Sequence, residues 1–148
     1  MKEKIERYSF NIGEEATITR IITDDDIREY ARISGDENPL HINDEYAQGT
    51  KFGGRIAHGT FVSSIISAVL GTILPGPGSV YLSQQLKFFT PVRPGDRVTL
   101  LVRVTHWNPD KGHIKLFTEV RNQEGMKVIK GEVRLVMSSF LNNSSEIS

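Results

Sequence analysis

The sequence predicts an α+β domain in which a curved antiparallel sheet wraps round one long central helix. Three observations carry this. No Lys, Arg, Asp or Glu occurs between Arg55 and Lys87, in a chain of which 24% is charged. Within that segment, from Ile56 to Leu74, apolar residues fall on nearly every helical face with only small hydroxyl residues between them, which reads as a helix enclosed by protein. Beyond Pro75-Gly76-Pro77-Gly78 the period becomes alternating, and Ser79 to Phe89, Val98 to Trp107, Ile114 to Asn122 and Lys127 to Met137 read as strands. Turn signals at Arg93-Pro94-Gly95-Asp96, Asn108-Pro109-Asp110-Lys111-Gly112 and Gln123-Glu124-Gly125 then predict an antiparallel meander.

The elements follow in order. A short strand is predicted near Ala16 to Ile21. Thr23 is a natural N-cap, and Asp24, Asp25 and Asp26 place negative charge in the first helical turn, where the peptide dipoles favour it. Ile27, Tyr30, Ala31 and Ser34 give that helix one face toward a core, and Gly35 suits a left-handed exit, so Asp36 falls just past a helix end. Asn38-Pro39 cannot continue the helix, because the residue before proline is pushed out of the α region, and His41 is expected across a bend. Asn43 to Ala47 reads as a second short helix, followed by a crossing marked by Gly49, Gly53 and Gly54. In the strands, Val98, Leu100, Val102 and Val104 share one face, as do Ile114, Leu116, Thr118 and Val120. In outline this is a hot-dog fold, a single domain over 1–140 with a polar, patternless tail at 141–148.

Bulk properties narrow the function. A chain of 148 residues is the size of one domain, able to bury about 70% of its unfolded surface. Lys plus Arg and Asp plus Glu are 18 each, so no net field gathers nucleic acid or an anionic membrane, and neither partner is expected. The absence of cysteine removes disulfides, thiolate nucleophiles and thiolate metal sites. Met1 to Arg7 is charged in both signs and has no apolar core, so it does not read as a secretory signal, and a cytoplasmic location is the default. The apolar stretch from Phe61 to Leu74 carries Ser63, Ser64, Ser67 and Thr72 and is too short to span a bilayer.

The chemistry concentrates in Ser34-Gly35-Asp36-Glu37-Asn38-Pro39-Leu40-His41, where a carboxylate and an imidazole stand five positions apart on a Pro-stiffened bend. Such a pair moves protons, and a rigid turn fixes its separation before anything binds. A second element, Arg55-Ile56-Ala57-His58-Gly59, opens the charge-free helix. There a backbone N–H can meet developing negative charge with the helix dipole behind it.

The two motifs together, Gly35-Asp36-Glu37-Asn38-Pro39-Leu40-His41 and Phe52-Gly53-Gly54-Arg55-Ile56-Ala57-His58-Gly59, resemble the MaoC-like (R)-specific enoyl-CoA hydratases, with a likeness running from about Thr23 to the last strand. The resemblance implies reversible syn addition of water to a trans-2-enoyl thioester, giving the (R)-3-hydroxyacyl product. It implies Asp36 and His41 as the catalytic pair; we assign Asp36 to take a proton from water and His41 to hold that water and pass a proton to C2, a division that the sequence leaves open because coupled groups titrate as a pair. It implies Gly59 as the residue at the thioester oxygen, where a missing side chain lets the ligand approach. Ser67 matches a serine that supports the site in that family. Asn38 is read as fixing the bend, and His58 as structural at the helix start. No metal or cofactor is required, coenzyme A entering as part of the acyl-CoA substrate. Thr60 follows His58-Gly59 where methionine is frequent in the family, which bears on acyl-chain preference. A homodimer is expected to complete the site.

Plainer readings stand beside these. Asp36 to Pro39 can be only a helix stop and turn, His41 only a satisfied histidine at the core, and Ser63, Ser64 and Ser67 only small residues that let a sheet pack closely. No Gly-x-Ser-x-Gly elbow supports a serine nucleophile, and His106 and His113, flanking a hairpin, lack a third metal ligand. A thioesterase or a non-catalytic acyl-CoA-binding protein would use the same fold.

Overall fold

The computed structural model describes residues 8–141; the tail expected at 141–148 and the charged start at 1–7 lie, apart from Leu141, outside the described residues. In chain order the elements are β1 (Glu15–Ile21), α1 (Asp24–Ser34), α2 (Pro39–Ile42), α3 (Asp44–Gln48), α4 (Gly59–Thr72), β2 (Ser79–Phe88), β3 (Arg97–Asn108), β4 (His113–Arg121) and β5 (Lys127–Met137). The five strands form one antiparallel sheet in the order β1-β3-β4-β5-β2. The hot-dog arrangement is observed, with α4 against the inner face.

The core is the set of rows read from the alternation. Val98, Leu100 and Val102 of β3, with Ile114, Leu116 and Val120 of β4, are fully buried. Phe61, Val62, Ile65, Ile66, Val69 and Leu70 of α4 join them in one cluster. Each such side chain removed from water contributes about 1.5–3 kcal/mol. Thr118 occupies the same inner row of β4, and its buried hydroxyl has no hydrogen-bond partner among the described residues.

Three expectations change. The meander holds for β3-β4-β5, but β2 lies beyond β5 instead of beside β3. The segment after β2 is not a hairpin: it carries Pro91 and Pro94, which lack N–H donors, and its Val92 carbonyl accepts from Ala57 N–H at 2.7 Å. That same bond delays the central helix. With Ala57 N–H taken by Val92 and the Ile56 carbonyl taken by the His41 ring, the chain stays extended until Gly59. Finally, α4 is not enclosed on every side, since Thr60, Ser64, Ser67, Ala68, Gly71 and Thr72 form an exposed stripe of small residues. Among the described residues no helix is long and apolar enough to cross a membrane.

Candidate active site

The first motif is a chain of local caps. Thr23 and Asp26 close a reciprocal capping box at the start of α1, and Gly35 ends that helix at φ 80, a left-handed conformation that glycine adopts without strain. Asp36 follows, exposed, with Oδ1 accepting from Asn38 N–H at 3.2 Å. Asn38 Oδ1 in turn accepts from Leu40 N–H at 3.1 Å and caps α2, with Pro39 in its first turn. The bend expected after Asn38 is therefore a single helical turn, and it carries His41 inward to 8% exposure.

The second motif runs past this turn and bonds to it. His41 Nδ1–H donates to the Ile56 carbonyl at 2.8 Å, and His58 Nε2–H donates to the Asp36 carbonyl at 2.9 Å. A carbonyl can only accept, so these partners put a proton on Nδ1 of His41 and on Nε2 of His58. In the neutral rings the free lone pairs are then His41 Nε2 and His58 Nδ1. The two rings lie 3.9 Å apart between centroids at 31°, and Tyr30 covers His58 edge-on at 4.9 Å. His58 is 1% exposed and its Nδ1 has no partner among the described residues. Burial pushes its pKa below the usual 6.5, assisted by the neighbouring His41 and opposed by the bond to the Asp36 carbonyl, so the ring stays neutral near pH 7.

One donor atom from each of Asp36, His41 and His58 falls within a group spanning no more than 4.8 Å. A carboxylate and an imidazole at that separation can share one water, and the same donor set suits a first-row divalent ion. The structure thus brings together the predicted acid, the predicted imidazole and His58. Gly59 is the next residue, the first of α4, so its N–H lies outside the intrahelical ladder at the positive end of the dipole. An apolar cavity of about 270 Å³ opens beside it, lined among others by Phe52, Ile56, Val62, Phe88 and Phe89. Neither Asp36 nor His41 lines this cavity; it meets their group through Ile56 and Gly59.

Glycine at 59 also has a packing consequence. A Cβ there would stand 3.0 Å from Cδ1 and Cε1 of Phe88, so the missing side chain makes room for that ring. Ser67 stands apart: eight residues along α4 from Gly59, about 12 Å at the helical rise. It shares a shallow hollow with Thr60, Ser64, Tyr81 and Gln84. Burial holds the Tyr81 phenol above its usual range, and a hydrogen bond with Ser67 opposes this.

Two arginines that sequence reasoning left without a role fasten the second motif. Arg55, its side chain 11% exposed, pairs with Asp24 and, at 2.7 Å, with Asp44, and donates to the His41 carbonyl at 3.2 Å. Arg93 donates to the carbonyls of Phe52 and Gly54. The one signal available in the sequence was Arg55 itself, the last charge before a long uncharged run.

Comparison with known proteins agrees with this architecture. The model of the MaoC like domain matches residues 10–131, and the chain belongs to that family. It is 46% identical over 125 residues to an (R)-specific enoyl-CoA hydratase of Rhodospirillum rubrum, covering 84% of this chain and 86% of the relative. It is 38% identical over 124 residues to an (R)-specific enoyl-CoA hydratase of Aeromonas caviae, covering 84% and 92%. Among solved structures, the unliganded R-hydratase of Pseudomonas aeruginosa superposes with a TM-score of 0.82 at 37% identity, over 94% of this chain and 92% of that one.

Proposed function

We propose that this protein is an (R)-specific enoyl-CoA hydratase, adding water reversibly and syn across the trans-2 double bond of an enoyl thioester. The observation that carries the reading is the convergence of Asp36 and His41 within 4.8 Å beside the amide that starts α4. As the water oxygen bonds to C3, Asp36 accepts one of its protons. His41, entering the step with a proton on each ring nitrogen, delivers the one on Nε2 to C2 on the same face while Nδ1–H stays on the Ile56 carbonyl, and transfer of the proton taken up by Asp36 to Nε2 restores the starting carboxylate and imidazolium. The pair titrates as a unit. The Gly59 N–H receives the charge that builds on the thioester oxygen. Its helix has its dipoles already aligned, so little reorganisation is needed. Coenzyme A enters as part of the substrate.

A second copy completes the site in this reading. Asp36 is exposed on its flank, the outer stripe of α4 is built from small residues, and β2 is an edge strand whose ladder can continue into another sheet. Sedimentation at micromolar concentration tests this, and a monomer would exclude it.

The direct assay follows the conjugated enoyl absorbance of crotonyl-CoA. Asp36→Asn and His41→Ala each lose roughly 10²- to 10⁴-fold in rate with folding retained. Wild-type rates in both variants would exclude the assigned roles. Release of free thiol in place of hydration would identify a thioesterase instead.

A further inference from the structure

The outer face of the sheet carries a cationic cluster that the hydration chemistry leaves unused. Lys87 of β2 stands directly opposite Lys130 of β5 in the antiparallel ladder, a like-charge pair that costs stability. Lys127 lies three residues before Lys130, its Nζ 5.1 Å from the centre of the Phe89 ring, and Lys130 Nζ is 5.9 Å from that of Phe117. None of the three lysines has an ion-pair partner among the described residues, whereas Arg103 and Arg121 on the same sheet are matched by Glu15 and Glu119. These lysines and the two phenylalanines wall a surface cleft of about 490 Å³, in which Glu132 is the single carboxylate.

The cleft adjoins the candidate active site. Phe89 lines both this cleft and the apolar cavity beside Gly59, so the two hollows meet at one ring. Lys87 is two residues from Phe89, about 7 Å along an extended chain. A thioester held at the Gly59 amide, with its arm running through the apolar cavity, emerges beside Phe89 and meets the ammonium groups. Compact ammonium charges suit phosphate oxygens, and an exposed aromatic face suits a purine.

We propose that this cleft holds the phosphorylated nucleotide half of coenzyme A, with Lys87, Lys127 and Lys130 on its phosphates and an aromatic ring against its adenine. The proposal rests on the enoyl-CoA reading above and adds to it where the carrier binds.

The test compares wild type with Lys87→Gln/Lys130→Gln, a double substitution of exposed residues that relieves the repulsion, so its unfolding midpoint should not fall. Calorimetric titration with adenosine 3′,5′-diphosphate should show binding to the wild type and a dissociation constant raised roughly tenfold or more in the variant. The KM for crotonyl-CoA should rise by a similar factor, and the defect should disappear on crotonyl-pantetheine, which lacks the nucleotide. A wild type that fails to bind the diphosphate overturns the proposal. So does equal binding by the variant, or a KM rise shared by both thioesters. A defect confined to crotonyl-acyl carrier protein overturns it in favour of protein docking. Lysine-dependent nucleotide binding by a wild type that hydrates neither thioester supports the cleft and refutes the hydratase reading.

Discussion

Replacing Arg55 by alanine is expected to slow turnover about 10- to 100-fold while KM stays within about twofold, because the guanidinium holds His41 and not the substrate. The stability cost follows from what each partner loses. Asp44 and Asp24 are 72% and 39% exposed, so their carboxylates return to water and add little. The His41 carbonyl is part-buried and loses a charged donor, and the apolar stem of a side chain only 11% exposed leaves a gap. Together these come to about 2–3 kcal/mol, or about 5–10 °C in melting temperature for a domain of this size. Arg55→Lys keeps the charge without the planar fork and should recover part of the rate.

Arg93→Ala is the control. It removes a comparable clamp from the same loop, on Phe52 and Gly54, without touching His41, so it should cost similar stability and retain more of kcat. Steady-state hydration of crotonyl-CoA and thermal unfolding, run on all four proteins, separate the effects. An Arg55→Ala protein that is destabilised yet turns over at the wild-type rate would refute the positioning argument. A loss falling wholly on KM would refute it equally.

The remaining predictions concern stability. His58 has a folded-state pKa below its unfolded value of 6.5, so below about pH 6.5 the unfolded chain takes up a proton that the folded chain refuses. Its contribution is intact above that pH and declines as the pH falls toward the folded pKa; urea unfolding between pH 7.5 and 5.5 should show the decline, and His58→Gln should flatten it. Thr118→Val removes a buried hydroxyl without a partner at nearly constant volume and should stabilise by about 1 kcal/mol in the same assay; a loss would mean the hydroxyl is satisfied in solution. Gly131→Ala would place a Cβ 2.0 Å from the Gln85 carbonyl oxygen, a backbone atom that cannot step aside. The β2–β5 ladder must part there, at about 2–3 kcal/mol, and an unchanged melting temperature would contradict the close approach.

What was legible in the sequence is what local physics dictates. The inner rows of β3 and β4 follow from a period of two, the start of α1 from Thr23 with Asp26, and its end from a glycine that turns left-handed. These settle where Asp36 stands in the chain. The place of β2 beside β5 was not legible, because pairing between distant strands leaves no mark on either strand's own period. Nor was the Gly59–Phe88 contact, which joins the start of α4 to the end of β2. The first residue of α4 depended on Val92 claiming the Ala57 N–H from outside the motif. The uncharged stripe of α4 shows a further limit. Absence of charge records that a surface is kept clear of ions, and the sequence does not say whether the chain's own sheet or another molecule covers it.

The least legible feature is the one that makes two motifs into one site. Read along the chain, each motif has its own histidine. In space each histidine donates its N–H to a backbone carbonyl of the other motif: His41 to Ile56, His58 to Asp36. Arg55 adds a third tie, from the second motif to the carbonyl of His41. With the Ile56 N–H donating to the Leu40 carbonyl at 3.4 Å, the separation of acid and imidazole is set by four crossing bonds, two of them ending on main-chain oxygens of Asp36 and His41, the proposed catalytic pair. Substituting His58 releases the Asp36 carbonyl, and substituting His41 releases the Ile56 carbonyl two residues before His58, so the energies of the two substitutions are not expected to add. In the proposed mechanism His58 acts without touching the substrate, as the buried ring whose Nε2–H holds the Asp36 carbonyl.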